Sequence, residues 1–379
     1  MKKRRKIEQT IFMILMLVGF MVCGGFVGFA VGRYRKARGG SLGTMEELLM
    51  LMGCLLLIYL VFFVNVCLHE TGHMIFGLLT GYRFSSIRFG SFMLLKTEGK
   101  VKPKRMSMPG TLGQCLMRPP VGGGCDFPTT LYNLGGILVN CIVVCGCLVW
   151  YVLLPEKDGM GGIILMSFVL TGLTVIVTNG LPFREMSTDG ANALLLRKDG
   201  NARRAFRNSL EIVNALAENR SAEELPEELF VFEEGMPLDN PLVTGQAVSR
   251  MGWLVQRKRF REAYECGRLI LERAGSFHEL QELCLRMEMI YIQIVEYGNV
   301  EEAKSLYEKD RKRFRKIAAT LTCQRVTYAY YALCQPDEKK AKESRKLFDR
   351  LAAKYPYKGD AEAERELLRL VEEQASEQA

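Results

Sequence analysis

The chain has 379 residues, 51 Lys and Arg against 42 Asp and Glu, a formal net charge of +9 and 49% hydrophobic residues. An excess of that size could serve nucleic acid, but the cations cluster beside apolar stretches and alternate with acids in the tail. No phosphate-cradling glycine loop, nucleophilic Ser or Cys constellation or recognition helix accompanies them, so no nucleic-acid partner is expected and membrane orientation accounts for the charge. Six of the 12 cysteines (Cys23, Cys54, Cys67, Cys141, Cys145 and Cys147) lie in apolar runs and the rest fall in segments read as cytoplasmic, which argues against a disulfide framework.

Four stretches are long and apolar enough to cross a hydrocarbon core of about 30 Å. The first, Thr10 to Val31, follows Lys2, Lys3, Arg4, Arg5 and Lys6 and could mimic a secretory signal. It is of full membrane length and is followed by Arg33, Tyr34, Arg35 and Lys36 in place of a small-residue cleavage site, so it reads as a span.

The second stretch, Leu48 to about Leu79, contains His69-Glu-Thr-Gly-His73. Residues four apart share a helix face about 5 to 6 Å apart, so the two imidazoles can meet one zinc ion, with the Glu70 carboxylate beside it to take a proton from an attacking water. Ionisable groups at membrane depth are costly unless they act, and two of the chain's three histidines are in this pentad.

The loop from Gly81 to Thr130 is rich in Lys and Arg, whereas the loop near Pro155 to Gly162 holds only Lys157. The basic loop is therefore assigned to the cytoplasm, which puts the N-terminus and the C-terminal region inside as well. Arg33, Arg35, Lys36 and Arg38 run against that assignment but are outweighed. About 21 residues at 1.5 Å each separate Leu48 from His69, roughly 32 Å, so the pentad lies toward the cytoplasmic end of its helix.

The third span is Leu131 to Leu154 and the fourth Ile163 to about Leu181, the latter ending in Thr178-Asn-Gly-Leu-Pro182, where Gly and Pro open the helix. Asp189-Gly190 follows seven residues later. A carboxylate there, at the depth of the two histidines, suits a third zinc ligand and leaves a fourth position open. Glu185 competes for the role.

These residues resemble the site-2 protease family of intramembrane zinc metalloproteases. The likeness rests on His69-Glu-Thr-Gly-His73, on Asn133-Leu-Gly-Gly-Ile-Leu-Val-Asn140 in the third span, and on Asn179-Gly-Leu-Pro182 with Asp189-Gly190. It covers roughly residues 48 to 196 and extends to Gly81–Gly90, which looks like the short β-forming segment of the family. The resemblance implies that His69, His73 and Asp189 bind zinc, that Glu70 is the general base, that Asn179 sits near the scissile carbonyl, and that Asn140 faces the same interior. The seven-residue gap before Asp189, Ile137 in place of a proline, and no PDZ-like insert mark a divergent, compact bacterial-type member.

Phe84 to Leu95 alternates in part and could pair with an extended substrate by strand addition, or form a cytoplasmic hairpin or interfacial flap. Met106 to Pro120 could gate or line the site. Cys145-Gly-Cys147 is read as packing rather than a metal site, and Cys67 likewise.

A basic helix is expected from about Asp189 to Asn214, followed by an acidic linker containing Glu223, Glu224, Glu227, Glu228, Glu233 and Glu234. Amphipathic helices then open near Arg261, Val300 and Lys340, at intervals near forty residues, with paired helices before them. This pattern resembles tetratricopeptide-type hairpins and suits a protein partner, or else a plain bundle capping the membrane part. Ser276-Phe-His-Glu279 reads as a capping box, which makes His278 local structure.

The fold class expected is mainly α: a polytopic membrane domain of about four helices with a short β segment (1–199), a helix and acidic linker (200–240), and a soluble repeat-like helical domain (241–379). The expected function is a multi-pass cell-membrane zinc endopeptidase cleaving membrane proteins or peptides near the cytoplasmic face. The alternatives are an inactive scaffold of the same fold presenting its helical tail to partners, and more weakly a zinc-handling transporter.

Overall fold

The computed structural model describes residues 2–37, 43–106, 111–122, 126–157, 159–232, 235–275 and 278–378. It is mainly α-helical, and four helices are long and apolar enough to cross a membrane: α1 (Lys2–Ala37), α2 (Thr44–Leu79), α3 (Thr130–Leu153) and α4 (Met160–Gly180). Their outer faces display large apolar side chains, among them Leu55, Tyr59, Trp150 and Val152, while Asn65, Asn140, Ser167 and Thr171 are buried between them. Apolar outside and polar inside is the arrangement that a hydrocarbon solvent favours. Thr171 and Ser167 donate back to their own helix carbonyls, which satisfies both hydroxyls.

Helices α2 and α3 approach to backbone contact because both carry glycine where they cross. A Cβ on Gly72 would lie 2.4 Å from the Gly135 carbonyl oxygen, and one on Gly135 would lie 2.6 Å from that of Gly72. This close crossing brings α3 against the histidine face of α2.

Between α2 and α3 lies a four-stranded antiparallel sheet, β1 (Arg83–Phe89), β2 (Phe92–Thr97), β3 (Lys100–Arg105) and β4 (Gly113–Arg118), in the order β3-β2-β1-β4. Glu98 and Gly99, both at positive φ, make the two-residue β2–β3 turn. The expectation that Phe84 to Leu95 accepts an extended substrate fails for a geometric reason. β1 is paired on both sides by β2 and β4, and β2 on both sides by β1 and β3, so neither has a free edge. The outer strands are β3 and β4, and the outer side of β4 is met by the Tyr132 hydroxyl and the Asn214 amide, which donate to the Cys115 and Met117 carbonyls.

The single basic helix expected after Asp189 is two, α5 (Asp189–Lys198) and α6 (Gly200–Ala217). Asp199 interrupts them: its extended backbone and its carboxylate, accepting from the Asn201 and Ala202 amides, make it the N-cap of α6. The acidic stretch that follows forms short 3-10 turns at Ala222–Glu224 and Glu227–Phe230, with Leu225 and Phe230 buried in the helical core, while Glu233 and Glu234 lie outside the described residues.

Helical hairpins complete the chain: α7 (Pro241–Gln256) with α8 (Phe260–Arg273), α9 (Glu279–Val295) with α10 (Val300–Phe314), and α11 (Leu321–Ala329), extended by a π-turn, with α12 (Glu338–Lys354), closed by α13 (Lys358–Gln378). Ser276 and Phe277 of the expected capping box lie outside the described residues. The end of α6 and the α12–α13 turn dock on the sheet: Met93 and Leu95 pack with Ala217 and Tyr357, the Thr97 hydroxyl donates to the Ala217 carbonyl at 3.0 Å, and Arg118 pairs with Glu218 at 2.7 Å. One face of the sheet thus meets the end of α6 and the α12–α13 turn, and the other, through Ile87 and Cys115, packs with Tyr82, Tyr132 and Leu210 beyond the end of α2.

Candidate metal centre

His69 and His73 lie one turn apart on the buried face of α2, and their Nε2 atoms are 3.3 Å from each other. Asp189 enters from the start of α5, with its Oδ2 at 2.8 Å from His69 Nε2 and 3.4 Å from His73 Nε2. The position of Asp189, seven residues past Pro182, is fixed by a folded link. A 3-10 turn at Arg184–Met186 takes up the extra length, and Thr188 Oγ1 donates to the Leu181 carbonyl at 2.6 Å while accepting from the Phe183 amide at 3.2 Å. Gly190 then presses on the end of α4, where a Cβ would sit 2.0 Å from the Gly180 carbonyl oxygen.

Both imidazoles are oriented from behind. His73 Nδ1 donates to the Tyr132 carbonyl at 2.8 Å, which can only accept, so in the neutral ring the lone pair lies on Nε2. His69 Nδ1 lies 2.9 Å from Asn140 Oδ1. The Asn140 amide nitrogen donates in turn to the Asn65 carbonyl and Oδ1, and Asn65 donates to Thr171 Oγ1 at 2.9 Å. A polar chain therefore runs from the ring of His69 on α2 through α3 to α4. Gly136 makes room for that ring, since a Cβ there would fall 2.7 Å from its atoms.

Two imidazole nitrogens and a carboxylate oxygen suit zinc, and ligand atoms on a tetrahedral zinc at about 2.0 Å stand about 3.3 Å apart. Two of the three separations, 3.3 and 3.4 Å, match that spacing, and the third, 2.8 Å between Asp189 Oδ2 and His69 Nε2, must widen by about 0.5 Å, so the residues fit the ion with a small movement of the carboxylate. Among the described residues this is the group of His, Cys, Asp and Glu side chains close enough to hold a metal; Cys145 and Cys147 join no such cluster. The Glu185 side chain lies outside what the structure describes.

Glu70 is buried, 8% exposed, and its carboxylate lies beneath the first residue of β4, where a Cβ on Gly113 would come within 2.3 Å of Oε1. Glycine at 113 is thus what allows the strand to pass over the carboxylate. The strand is held there by Arg88 of β1, 2% exposed, which donates to the Gly90 carbonyl at 2.6 Å and to the Thr111 side chain.

Glu70, both histidines, Asp189 and Asn179 line one cavity of about 530 Å³. Asn179 is on its wall, with its amide nitrogen donating to the Val175 carbonyl at 3.0 Å within α4. Thr111 to Leu116 form another wall, which gives the Met106 to Pro120 segment a lining role where it is described. His278, the N-cap residue of α9, also lines the cavity, as do Phe206 and Leu210 of α6. Sequence reasoning missed these three, along with Asn65, Gly113 and the Tyr132 carbonyl, because each is brought in by tertiary contact and carries no local spacing signal. No family model, curated protein or solved structure matches the chain.

Proposed function

We propose that the chain is a membrane zinc endopeptidase of the site-2 protease type, which hydrolyses peptide bonds of membrane proteins or membrane-held peptides near the cytoplasmic ends of its spans. The observation that carries this reading is the convergence of His69, His73 and Asp189 at mutual distances of 2.8 to 3.4 Å, with Glu70 on the same cavity wall. A zinc ion held by these three would supply the Lewis acidity that polarises a peptide carbonyl and acidifies water. Glu70 takes the proton of the attacking water and returns it to the leaving amine. Asn140 and the Tyr132 carbonyl keep both imidazoles in the tautomer that presents Nε2, and Asn179, on the cavity wall, orients the substrate backbone.

Helical substrates hide their carbonyls in hydrogen bonds, so the scissile segment must be extended before attack. β4, beside Glu70, carries no further strand on its outer side, and an extended chain added there would take the places of the Tyr132 hydroxyl on the Cys115 carbonyl and of the Asn214 amide on the Met117 carbonyl. The basic loop after α2 supports a cytoplasmic sheet and helical domain in a multi-pass cell-membrane protein. The hairpin domain is read as the surface for a protein partner.

The test is cleavage of a model transmembrane substrate by purified wild-type and Glu70→Gln protein, with zinc measured in both. Zinc in both and cleavage only by the wild type supports the enzyme. Zinc with no cleavage across several substrates favours the inactive scaffold of the same fold, and zinc transport that survives Glu70→Ala favours the transporter.

A further inference from the structure

A second concavity, which shares no lining residue with the cavity of the metal centre, lies between the end of the β2–β3 hairpin and the α12–α13 turn, with a volume of about 1090 Å³. Lys104 and Arg105 reach it from β3, and Lys354 and Lys358 from the helical turn. Its remaining charges, Arg365 and Glu362, neutralise each other at 2.9 Å. Across the helical domain most arginines are paired with a carboxylate, as in Arg250–Glu227, Arg268–Glu265 and Arg345–Glu372. None of the four groove cations enters an ion pair among the described residues. Four positive charges from two distant parts of the chain, held together without a counter-charge, call for an anion from outside.

The wall between those cations is apolar, with Phe92 and Pro103 on the sheet side and Ala352 and Tyr355 on the helical side. Phe92 is 47% exposed. The end of the sheet that carries Phe92 and Arg105 is the membrane end. At its β1–β2 turn a Cβ on Gly90 would lie 3.9 Å from the ring of Phe63, in the apolar run of α2, whereas the opposite end of the hairpin is anchored by Thr97 to the end of α6. Strand addition does not suit this edge. The Met106 amide donates inward to the Ser91 carbonyl, so even-numbered residues of β3 face β2 and Pro103 puts its missing N–H on the outer side. The recognition must come from side chains.

We propose that this groove binds the headgroup of an anionic phospholipid from the leaflet on the helical-domain side, its phosphate held by Lys104, Arg105, Lys354 and Lys358 and its upper acyl chain laid against Phe92. The lipid bridges the sheet and the hairpin domain, so it holds the helical domain at a fixed height over the metal centre. This inference is independent of whether the chain is a hydrolase.

The test is native mass spectrometry of the full-length protein in detergent, titrated with phosphatidylglycerol or phosphatidylcholine. The wild type is expected to retain phosphatidylglycerol at least tenfold more strongly. A Lys104→Gln, Lys354→Gln, Lys358→Gln variant is expected to lose affinity on the order of 100-fold, at about fivefold per cation. A Lys309→Gln, Lys312→Gln, Lys339→Gln variant has the same charge change elsewhere on the helical surface and is expected to behave as wild type. Equal retention of the two lipids, equal loss in the two variants, or displacement of phosphatidylglycerol by millimolar inorganic phosphate would each overturn the proposal.

Discussion

The Nδ1 atom of His69 and the Oδ1 atom of Asn140 are 2.9 Å apart, across the glycine-lined crossing of α2 and α3. This one hydrogen bond orients the ring of His69, a proposed metal ligand, from a neighbouring helix, and Asn140 is itself locked by two bonds to Asn65. Asn140→Leu removes the acceptor and leaves His69 free to rotate. Zinc affinity is expected to fall about 10- to 100-fold, read by chelator competition, with helix content unchanged. Undiminished affinity would show that the bond does no orienting.

Gly136→Ala strikes the same ring from the side, because the added methyl would lie 2.7 Å from three of its atoms. The ring must move or the helices must separate. Zinc content after dialysis is expected to drop below stoichiometric, while Gly146→Ala in the same helix, where a Cβ meets nothing within 4 Å, retains it.

Gly113→Ala separates binding from chemistry. Its methyl would contact Glu70 Oε1 and leave the histidines untouched, so zinc is expected to stay while kcat falls on the order of 100-fold. Equal kcat in the variant would place the base elsewhere.

Much of the membrane half could be read from the residues because its physics is local. Apolar runs of membrane length give α1 to α4, and the i, i+4 spacing puts His69 and His73 on one face. Asp189 was reachable only as the first carboxylate followed by glycine after a broken helix. What brings it to the histidines is the Thr188-pinned turn, whose hydrogen bonds have no sequence period. The sheet was half legible: alternation marks strand character in Phe84 to Leu95, but not that β1 would be central, since strand order depends on β4 returning past it. Asn65 reads as one more residue of an apolar helix until α3 and α4 pack on it.

In the helical domain Arg325 is fully buried, pairing with Glu364 and Glu288 at 2.7 Å each and lying 4.2 Å from the centre of the Tyr291 ring. Arg325→Met leaves two buried carboxylates without a cation, at a cost of about 3 to 5 kcal/mol. Thermal unfolding of that domain is expected to shift down by several degrees, with zinc binding in the membrane domain retained.

Asp360 sits beside this network, and burial followed by repulsion from Glu364 pushes its carboxyl up to about 6. The native state therefore holds a proton that the unfolded chain releases near the ordinary 3.8. The stability it contributes is complete below the unfolded value and is lost as pH rises through about 6. Asp360→Asn keeps the acceptor for Gln256 and removes that loss. The variant is expected to match wild type at pH 3 and exceed it at pH 7.5 by at most about 3 kcal/mol. A pH-independent difference would contradict this account.

The most direct measurement is zinc stoichiometry together with cleavage of a model transmembrane substrate by purified wild-type and Glu70→Gln protein in detergent. One zinc per chain in both proteins, with cleavage reduced at least about 100-fold by Glu70→Gln, is the result expected. Absence of zinc from wild-type protein purified without chelators and supplied with the ion would contradict the central claim.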